Sequence, residues 1–136
     1  FRVNSYPLLI SGKYWKISLN RYETKARIGA YQHERLLPQR LRLNVSVYVE
    51  KGAAPVSELS EVFNYDRVIE AIEAVVQEGH IDLQETLLER TAERLLKYPE
   101  VAAVQIGSEK PDAYSKAESI GVEAFFSKDK ERIKTE

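Results

Sequence analysis

Four side chains in this sequence have the chemistry needed to transfer a proton or to hold a small polar molecule: Glu34, Tyr65, Glu85 and Lys110. Glu85 lies in the stretch GHIDLQETLLERTAERLL, three residues after Asp82, which is the spacing of a helix capping box. The positive end of the helix dipole keeps a carboxylate at this position ionised. The carboxylate either bends back to the Asp82 amide as a cap or faces a ligand, and the spacing alone favours the cap.

The helical wheel adds a second observation about Glu85. It shares one stripe with Leu88, Ala92 and Leu96, so it is predicted to extend the apolar face of its helix at the rim of the core. Other polar groups that converge on the same rim would change the interpretation from capping to ligand binding.

The other three candidates each have an ordinary structural interpretation. Glu34, between a histidine and an arginine in YQHERLLPQ, is typical of a solvated loop charge, and Gln39 after the proline is typical of a residue that fixes a loop. Lys110 is predicted to end a strand, and it precedes Pro111, which favours extended geometry at the lysine and is typical of a surface turn. A lysine buried at the wall of a site can instead transfer a proton, and so can a phenol such as that of Tyr65 at a pocket edge.

Composition removes several classes of function. The chain has 136 residues, 43% of them hydrophobic, and a formal net charge of -1, which is typical of one soluble globular domain. A nucleic-acid-binding protein shows a basic excess or stripe, which is missing here. The sequence has no cysteine, which excludes disulfides and thiol catalysis and is compatible with the cytosol. No membrane helix or signal peptide is expected.

Metal and cofactor chemistry is not indicated either. The two histidines, His33 and His80, are far apart in the sequence, and no metal-loop spacing is visible. We expect structural or solvent roles for both histidines, no bound metal and no cofactor.

The elements that position the candidates follow from periodicity. Residues 41–49 alternate without a break, with apolar side chains on one face and Arg42, Asn44, Ser46 and Tyr48 on the other, as in a half-buried strand. Helical spacing begins at Tyr65 and ends at Gly79, and a second helix is predicted from about Leu83 to Lys97. The remaining predicted segments are strands at 14–28, 101–107 and 118–126, a long loop at 29–39, a connection at 51–64 and a charged, frayed tail at 127–136.

The order of strand, strand, helix, helix, strand, strand predicts a single two-layer α+β domain with a core at about 14–127. Two helices cover only one face of a four-stranded sheet, so the other face is predicted to be polar. The sheet has two open edges, and pairing between subunits into a closed barrel would cover them.

The sequence resembles the dihydroneopterin aldolases of folate biosynthesis. The resemblance rests on IGAYQHERLLPQRLRLNVSVYV, FNYDRV, LQETLLERTAERLL and EKPDAYSKAESIGVEAFF, in this order over most of residues 28–126. It implies a T-fold (tunnelling fold), in which four subunits close a β-barrel and two rings often stack into an octamer. It also implies a cytoplasmic homo-oligomer with pterin sites between subunits.

The resemblance assigns a role to each candidate. Glu85 would anchor the pterin by accepting its adjacent N–H and amino groups, a two-pronged contact stronger than a neutral hydrogen bond. Gln84 would offer backbone contacts beside it. Glu34 and Tyr65 would contact substrate and assist acid–base steps, and Lys110 would be the main proton donor and acceptor. The implied reaction splits 7,8-dihydroneopterin into 6-hydroxymethyl-7,8-dihydropterin and glycolaldehyde without a metal or Schiff base.

The chain departs from the family pattern in places, and rival functions stay open. Gln84 stands where an aliphatic residue is usual, and Asp112 and Tyr114 replace small and aliphatic residues. The rivals are an epimerase of dihydroneopterin or its triphosphate, an oxygenase of the same fold, and a non-catalytic pterin-binding module. A nucleic-acid-binding domain is a distant third class.

Overall fold

The computed structural model of the chain describes residues 11–52 and 62–128. Within this part, four strands form one antiparallel sheet in sequence order: β1 (Tyr14–Ala26), β2 (Gln39–Glu50), β3 (Val101–Lys110) and β4 (Ile120–Ser127). Two helices between β2 and β3 pack on one face of the sheet: α2 (Asp66–Val76) and α3 (Gln84–Leu96). A short helix, α1 (Gln32–Leu36), lies between β1 and β2. The predicted α+β architecture is confirmed.

The alternation of β2 builds the core between sheet and helices. Leu41, Leu43, Val45 and Val47 are at most 1% exposed and pack in one cluster with apolar side chains of both long helices. Burying one such side chain contributes about 1.5–3 kcal/mol, so this strand is a main source of stability. The sheet therefore keeps a fixed orientation relative to the helices, and Lys110 at the end of β3 has a fixed starting point.

The second face of the sheet is mainly polar, with one exception. Ser46 of β2 shares a 2.8 Å hydrogen bond with Ser18 of β1, as expected for a polar face. Tyr48 is fully buried and packs with Ala103 and Phe125 in a small second apolar cluster. Tyr48 lies on the second face, as the alternation predicts, but its ring is covered by these neighbours and does not face solvent.

The segment 29–39 is not the structureless loop that the sequence predicts, because it contains α1. This helix has five residues, which is too short to show an apolar period. Its last residue, Leu36, and its C-cap residue, Leu37, are 72% and 71% exposed, so no buried stripe marks the helix in the sequence.

The capping box predicted for Asp82 and Glu85 is wrong. The N-cap of α3 is Leu83, and no side chain caps the helix there. The Asp82 carboxylate instead accepts a 3.2 Å hydrogen bond from Arg35 and lies 3.4 Å from Nδ1 of His80.

The structure confirms that Leu88 and Ala92 lie on the buried face of α3, but Glu85 does not extend this face. Gln84 is 8% exposed and begins the row that continues through Leu87, Leu88 and Thr91, whereas Glu85 is exposed in the single chain. Gln84 lies four residues before Leu88 and three before Leu87, which places it over the centre of the buried row.

Several predicted segments fall outside the described residues. They are the N-terminal residues 1–10, most of the connection at 51–64 and nearly all of the charged tail at 127–136. Among the described residues, no helix combines the length and apolar character needed to cross a membrane.

Candidate active site

A cavity of about 570 Å³ opens where α1, the start of α3 and the turn after β3 meet. Its polar lining includes Glu34, Gln39, Gln84, Lys110 and Asp112, and Tyr114 contributes an aromatic wall. Three of the predicted site residues, Glu34, Gln84 and Lys110, therefore come together here from distant parts of the sequence.

Helix α1 aims the carboxylate of Glu34 into this cavity. Glu34 is the third residue of the helix, and Oε1 accepts a 3.2 Å hydrogen bond from the backbone N–H of the N-cap residue Tyr31. The backbone N–H of Glu34 in turn donates to the Tyr31 carbonyl at 3.0 Å. The reach-back contact expected at Glu85 is thus found at Glu34.

Gly29 leaves the space that the carboxylate fills. A Cβ atom on Gly29 would lie 2.1 Å from the carboxyl carbon and from Oε1 of Glu34, so no larger residue fits without moving the acid. The backbone of Gly29 has φ +134°, a conformation that L-residues rarely adopt. Its N–H donates to Ile81 at 2.9 Å, and its carbonyl accepts from Nε2 of His80 at 2.7 Å.

The Glu34 carboxylate is buried and has charged and polar partners. Lys110 Nζ donates to Oε2 at 2.9 Å, and the side-chain amide of Gln39 donates to the same oxygen at 3.2 Å. Burial alone would raise the pKa of Glu34, but the hydrogen bonds from Lys110, Gln39 and the Tyr31 backbone outweigh it and hold the pKa below its ordinary value. Glu34 is therefore ionised at neutral pH.

Lys110 is held close to the acid by its position in the sheet. It is the last residue of β3, it pairs with Ile120 of β4, and its side chain is 13% exposed. The prediction that Lys110 ends a strand is confirmed. The ammonium group and the carboxylate form a shielded ion pair at the cavity wall, which a lysine on an exposed turn would lack.

The side chain of Gln84 is engaged by the protein itself. Its Oε1 accepts from the Ser108 hydroxyl at 2.7 Å, and its Nε2 donates to the Ile120 carbonyl at 3.3 Å. Ser108 is 4% exposed, so this contact satisfies two buried polar groups. The glutamine thus ties the start of α3 to β3, which ends at Lys110, and to the paired strand β4.

The other two candidates lie outside this cavity in the single chain. Glu85 follows Gln84 at the exposed start of α3, and no described residue forms a hydrogen bond or ion pair with its carboxylate. Tyr65 is 67% exposed at the N-cap of α2, where it lines a separate cavity with Ile17 and Ile69.

Sequence reasoning missed or undervalued some contributors. Gln39 does fix its segment, by donating to the Ile28 carbonyl at 2.6 Å, but it also holds Glu34. His33 lines the cavity and stacks on Tyr31 with nearly parallel rings, whereas the half-buried His80 has one of the two expected roles, a structural one, as the hydrogen-bond partner of Gly29. Among the described residues, no group of three His, Asp or Glu side chains has the arrangement of a metal site.

Comparison with known proteins gives one consistent result. A family model described as FolB, dihydroneopterin aldolase, matches residues 17–125. A dihydroneopterin aldolase from Streptomyces coelicolor is 29% identical over 99 residues, which are 72% of this chain and 83% of that protein. The crystal structure of a dihydroneopterin aldolase from Burkholderia thailandensis bound to guanine is 35% identical, with a TM-score of 0.78, and covers 91% of this chain and 98% of its own. The structure of a putative dihydroneopterin aldolase from Vibrio cholerae is 25% identical, with a TM-score of 0.76 and coverages of 83% and 97%.

Proposed function

The chain belongs to the FolB dihydroneopterin aldolase family, so its function is aldolase cleavage of 7,8-dihydroneopterin, and we propose that Glu34, Glu85 and Lys110 perform it. The observation that carries this assignment is the shielded 2.9 Å ion pair between Lys110 and Glu34 at the wall of the cavity. The products are 6-hydroxymethyl-7,8-dihydropterin and glycolaldehyde.

Recognition of the pterin is assigned to the start of α3. Guanine, which the Burkholderia relative binds, and pterin share a 2-amino-4-oxopyrimidine ring with an N–H next to an amino group. A carboxylate accepts hydrogen bonds from both groups at once. The Glu85 carboxylate lies in the first turn of α3, where the helix dipole favours negative charge, and it has no partner among the described residues, so it is available for this contact. The first backbone N–H groups of the helix, including that of Gln84, lack helical partners and can donate to the ring.

The chemical step needs a proton removed from the hydroxyl group on the second carbon of the substrate side chain. The bond between the first and second side-chain carbons then breaks, glycolaldehyde leaves, and the electron pair passes into the ring C=N. A proton returned to the first carbon completes the hydroxymethyl product. Lys110 is assigned both transfers: its amine form takes up the hydroxyl proton, and the resulting ammonium, which the ionised Glu34 holds at 2.9 Å, returns a proton to the first carbon. The ring itself takes up the electrons, which is why no Schiff base is needed.

We propose that Tyr65 contributes to the site of a second copy of the chain. Tyr65 lies in a separate cavity beside β1, whereas Lys110 lies at the end of β3. A homo-oligomer that joins these two surfaces would bring the phenol of one copy to the Lys110 of another, and in a closed ring each surface is used once per subunit.

Mixed oligomers test this assignment. Lys110→Ala and Tyr65→Phe are each expected to reduce turnover, and co-refolding the two variants should restore activity, because roughly a quarter of randomly formed interfaces would carry both native residues. No recovery in mixtures that sedimentation shows to be hybrid would place Tyr65 and Lys110 in one subunit's site or outside the site altogether.

The function itself is tested by incubating the protein with 7,8-dihydroneopterin and separating the products by chromatography. Turnover should continue in a chelator, and Lys110→Ala should lower kcat by about 10²–10⁴-fold because it removes the proton carrier. Lys97→Ala, an exposed lysine at the end of α3, is the matched control and should keep full activity. Pterin binding without any turnover would instead identify a non-catalytic binding module.

Epimerisation is proposed as a side reaction of the same residues. Re-addition of glycolaldehyde to the ring intermediate can occur on either face, which yields the epimer at the second side-chain carbon. Chiral separation of residual substrate would detect it, and incubation with the triphosphate would show whether the longer substrate is also accepted. An epimer that forms in Lys110→Ala at the native rate would contradict a shared proton carrier.

A further inference from the structure

Backbone pairing between β2 and β3 ends before the two strands reach the candidate site. The last paired residues at this end are Arg42 and Glu109, and the same register would place Arg40 opposite Pro111. Proline has no N–H to donate, so the ladder cannot continue there. Some other contact must fix the turn that follows Lys110.

An ion pair occupies that place. The guanidinium of Arg40 donates from Nε to Oδ2 of Asp112 at 2.9 Å and from Nη2 to Oδ1 at 2.7 Å. Two parallel bonds of this kind fix orientation as well as distance. Glu23 is a weaker competitor for Arg40, since its carboxylate lies 3.7 Å from Nη1 and is also 3.2 Å from Arg42. Arg40 is therefore committed mainly to Asp112.

The pKa shifts of Arg40 and Asp112 are both those expected for an ion pair. The hydrogen bond from Arg40 holds the pKa of Asp112 below its ordinary value, and the hydrogen bond to Asp112 raises the pKa of Arg40. The two side chains remain 41% and 49% exposed, so they add little to the stability of the whole fold. An effect of this pair should appear locally, in the geometry of the turn.

The two ends of the pair adjoin the two side chains that hold Glu34. Arg40 directly follows Gln39, and Asp112 is two residues after Lys110. Asp112 also lines the cavity. We propose that Arg40, acting through Asp112, is a positioning residue that holds the Lys110 turn against the start of β2, and so keeps the Lys110 ammonium aligned on Glu34. This role rests on the proposed function of Lys110 and extends it to two residues that do not carry the proton.

Kinetics of single and double variants test the proposal. Arg40→Gln and Asp112→Asn should each lower kcat about fivefold, the factor that corresponds to the upper end of an exposed ion pair, with little change in KM. The double variant should be no worse than either single variant, because both break the same contact. Arg42→Gln is the matched control, since it removes an equal charge from the same strand face and should leave kcat unchanged.

Additive losses in the double variant would mean that Asp112 acts on the substrate directly, and they would overturn the proposal. So would an equal loss in Arg42→Gln, or native kcat in Arg40→Gln.

A second readout needs no substrate. The rate at which limiting acetic anhydride modifies Lys110, measured by peptide mass spectrometry, should rise in Arg40→Gln and Asp112→Asn and stay native in Arg42→Gln. Unchanged labelling in the first two variants contradicts the positioning role even if turnover falls. If the wild type does not cleave 7,8-dihydroneopterin, the proposed function fails, while the labelling result still decides whether the pair positions Lys110.

Discussion

Replacing Gly29 by alanine should displace the Glu34 carboxylate and reduce turnover much more than stability. The new methyl group would start 2.1 Å from the carboxyl carbon, whereas ordinary contact begins at 3.4 Å, so the acid must retreat by about 1.3 Å. That movement is enough to break the 2.9 Å bond from Lys110 and the 3.2 Å bond from Gln39. A misplacement of about 1 Å in a catalytic constellation costs on the order of 100-fold in rate, which is the loss in kcat that we expect.

The stability cost comes from the backbone. At φ +134° an alanine is strained by about 1–3 kcal/mol, which lies within the roughly 5–15 kcal/mol that keeps a domain folded. Denaturant unfolding and kcat for 7,8-dihydroneopterin are measured on the same preparation. Gly12→Ala is the control, because Gly12 also has a positive φ (+72°) but nothing lies within 4 Å of its Cβ position. It should lose a little stability and no activity.

The reasoning fails if Gly29→Ala keeps kcat within about threefold of the wild type while its unfolding free energy falls as expected. That result would show that breaking the contact between Glu34 and Lys110 leaves kcat nearly unchanged, which contradicts the role proposed for the ion pair.

Three further predictions concern single contacts. The lowered pKa of Glu34 stabilises the folded state at pH values above its ordinary pKa of 4.5, and this stabilisation is lost as the pH falls through the folded-state pKa. Glu34→Gln should therefore make the free energy of unfolding depend less on pH in the acid range, which denaturant unfolding at several pH values measures. Gln84→Leu should cost about 1–3 kcal/mol by stranding the buried Ser108 hydroxyl, and adding Ser108→Ala should recover much of it; equal costs in the single and double variants would contradict the contact. Burial and the 2.5 Å bond to Glu73 raise the pKa of Tyr22 from 10.0 to about 12, so this contact stabilises the fold below pH 10 and is lost as pH rises towards 12. Tyr22→Phe should remove that alkaline transition in a spectroscopic titration of stability.

The sequence predicts the long elements because their periods are long enough to read. Nine alternating residues define β2, and helical spacing defines α2 and α3, so the sheet, its helices and the place of Lys110 at a strand end could all be inferred. Helix α1 could not, since it has only five residues and its one leucine is exposed. The periodic spacing of apolar residues predicts the core, whereas the conformation of a segment without such a period is fixed by contacts with other parts of the chain.

The contacts within the candidate site could not be predicted from sequence spacing either. Asp82 and Glu85 have the spacing of a capping box, yet the reach-back bond forms between Tyr31 and Glu34, where the N-cap residue is not one that usually caps. Which of two acids is buried depends on Gly29 and Lys110, which are remote from each other in sequence. The sequence also cannot indicate that Tyr65 lies beside a different cavity, because that depends on how the sheet edges are arranged in space.

The contact between Glu34 and Lys110 spans 76 positions of the chain. During synthesis from the N-terminus, the acid leaves the ribosome long before its amine partner, and closing so long a segment carries a large entropic cost. Until β3 is complete, Glu34 has no counter-charge from Lys110 and its burial beside Gly29 is unfavourable. The ion pair at the proposed site can accordingly form only after β3 is complete, and a chain that ends before Lys110 lacks the proposed proton carrier.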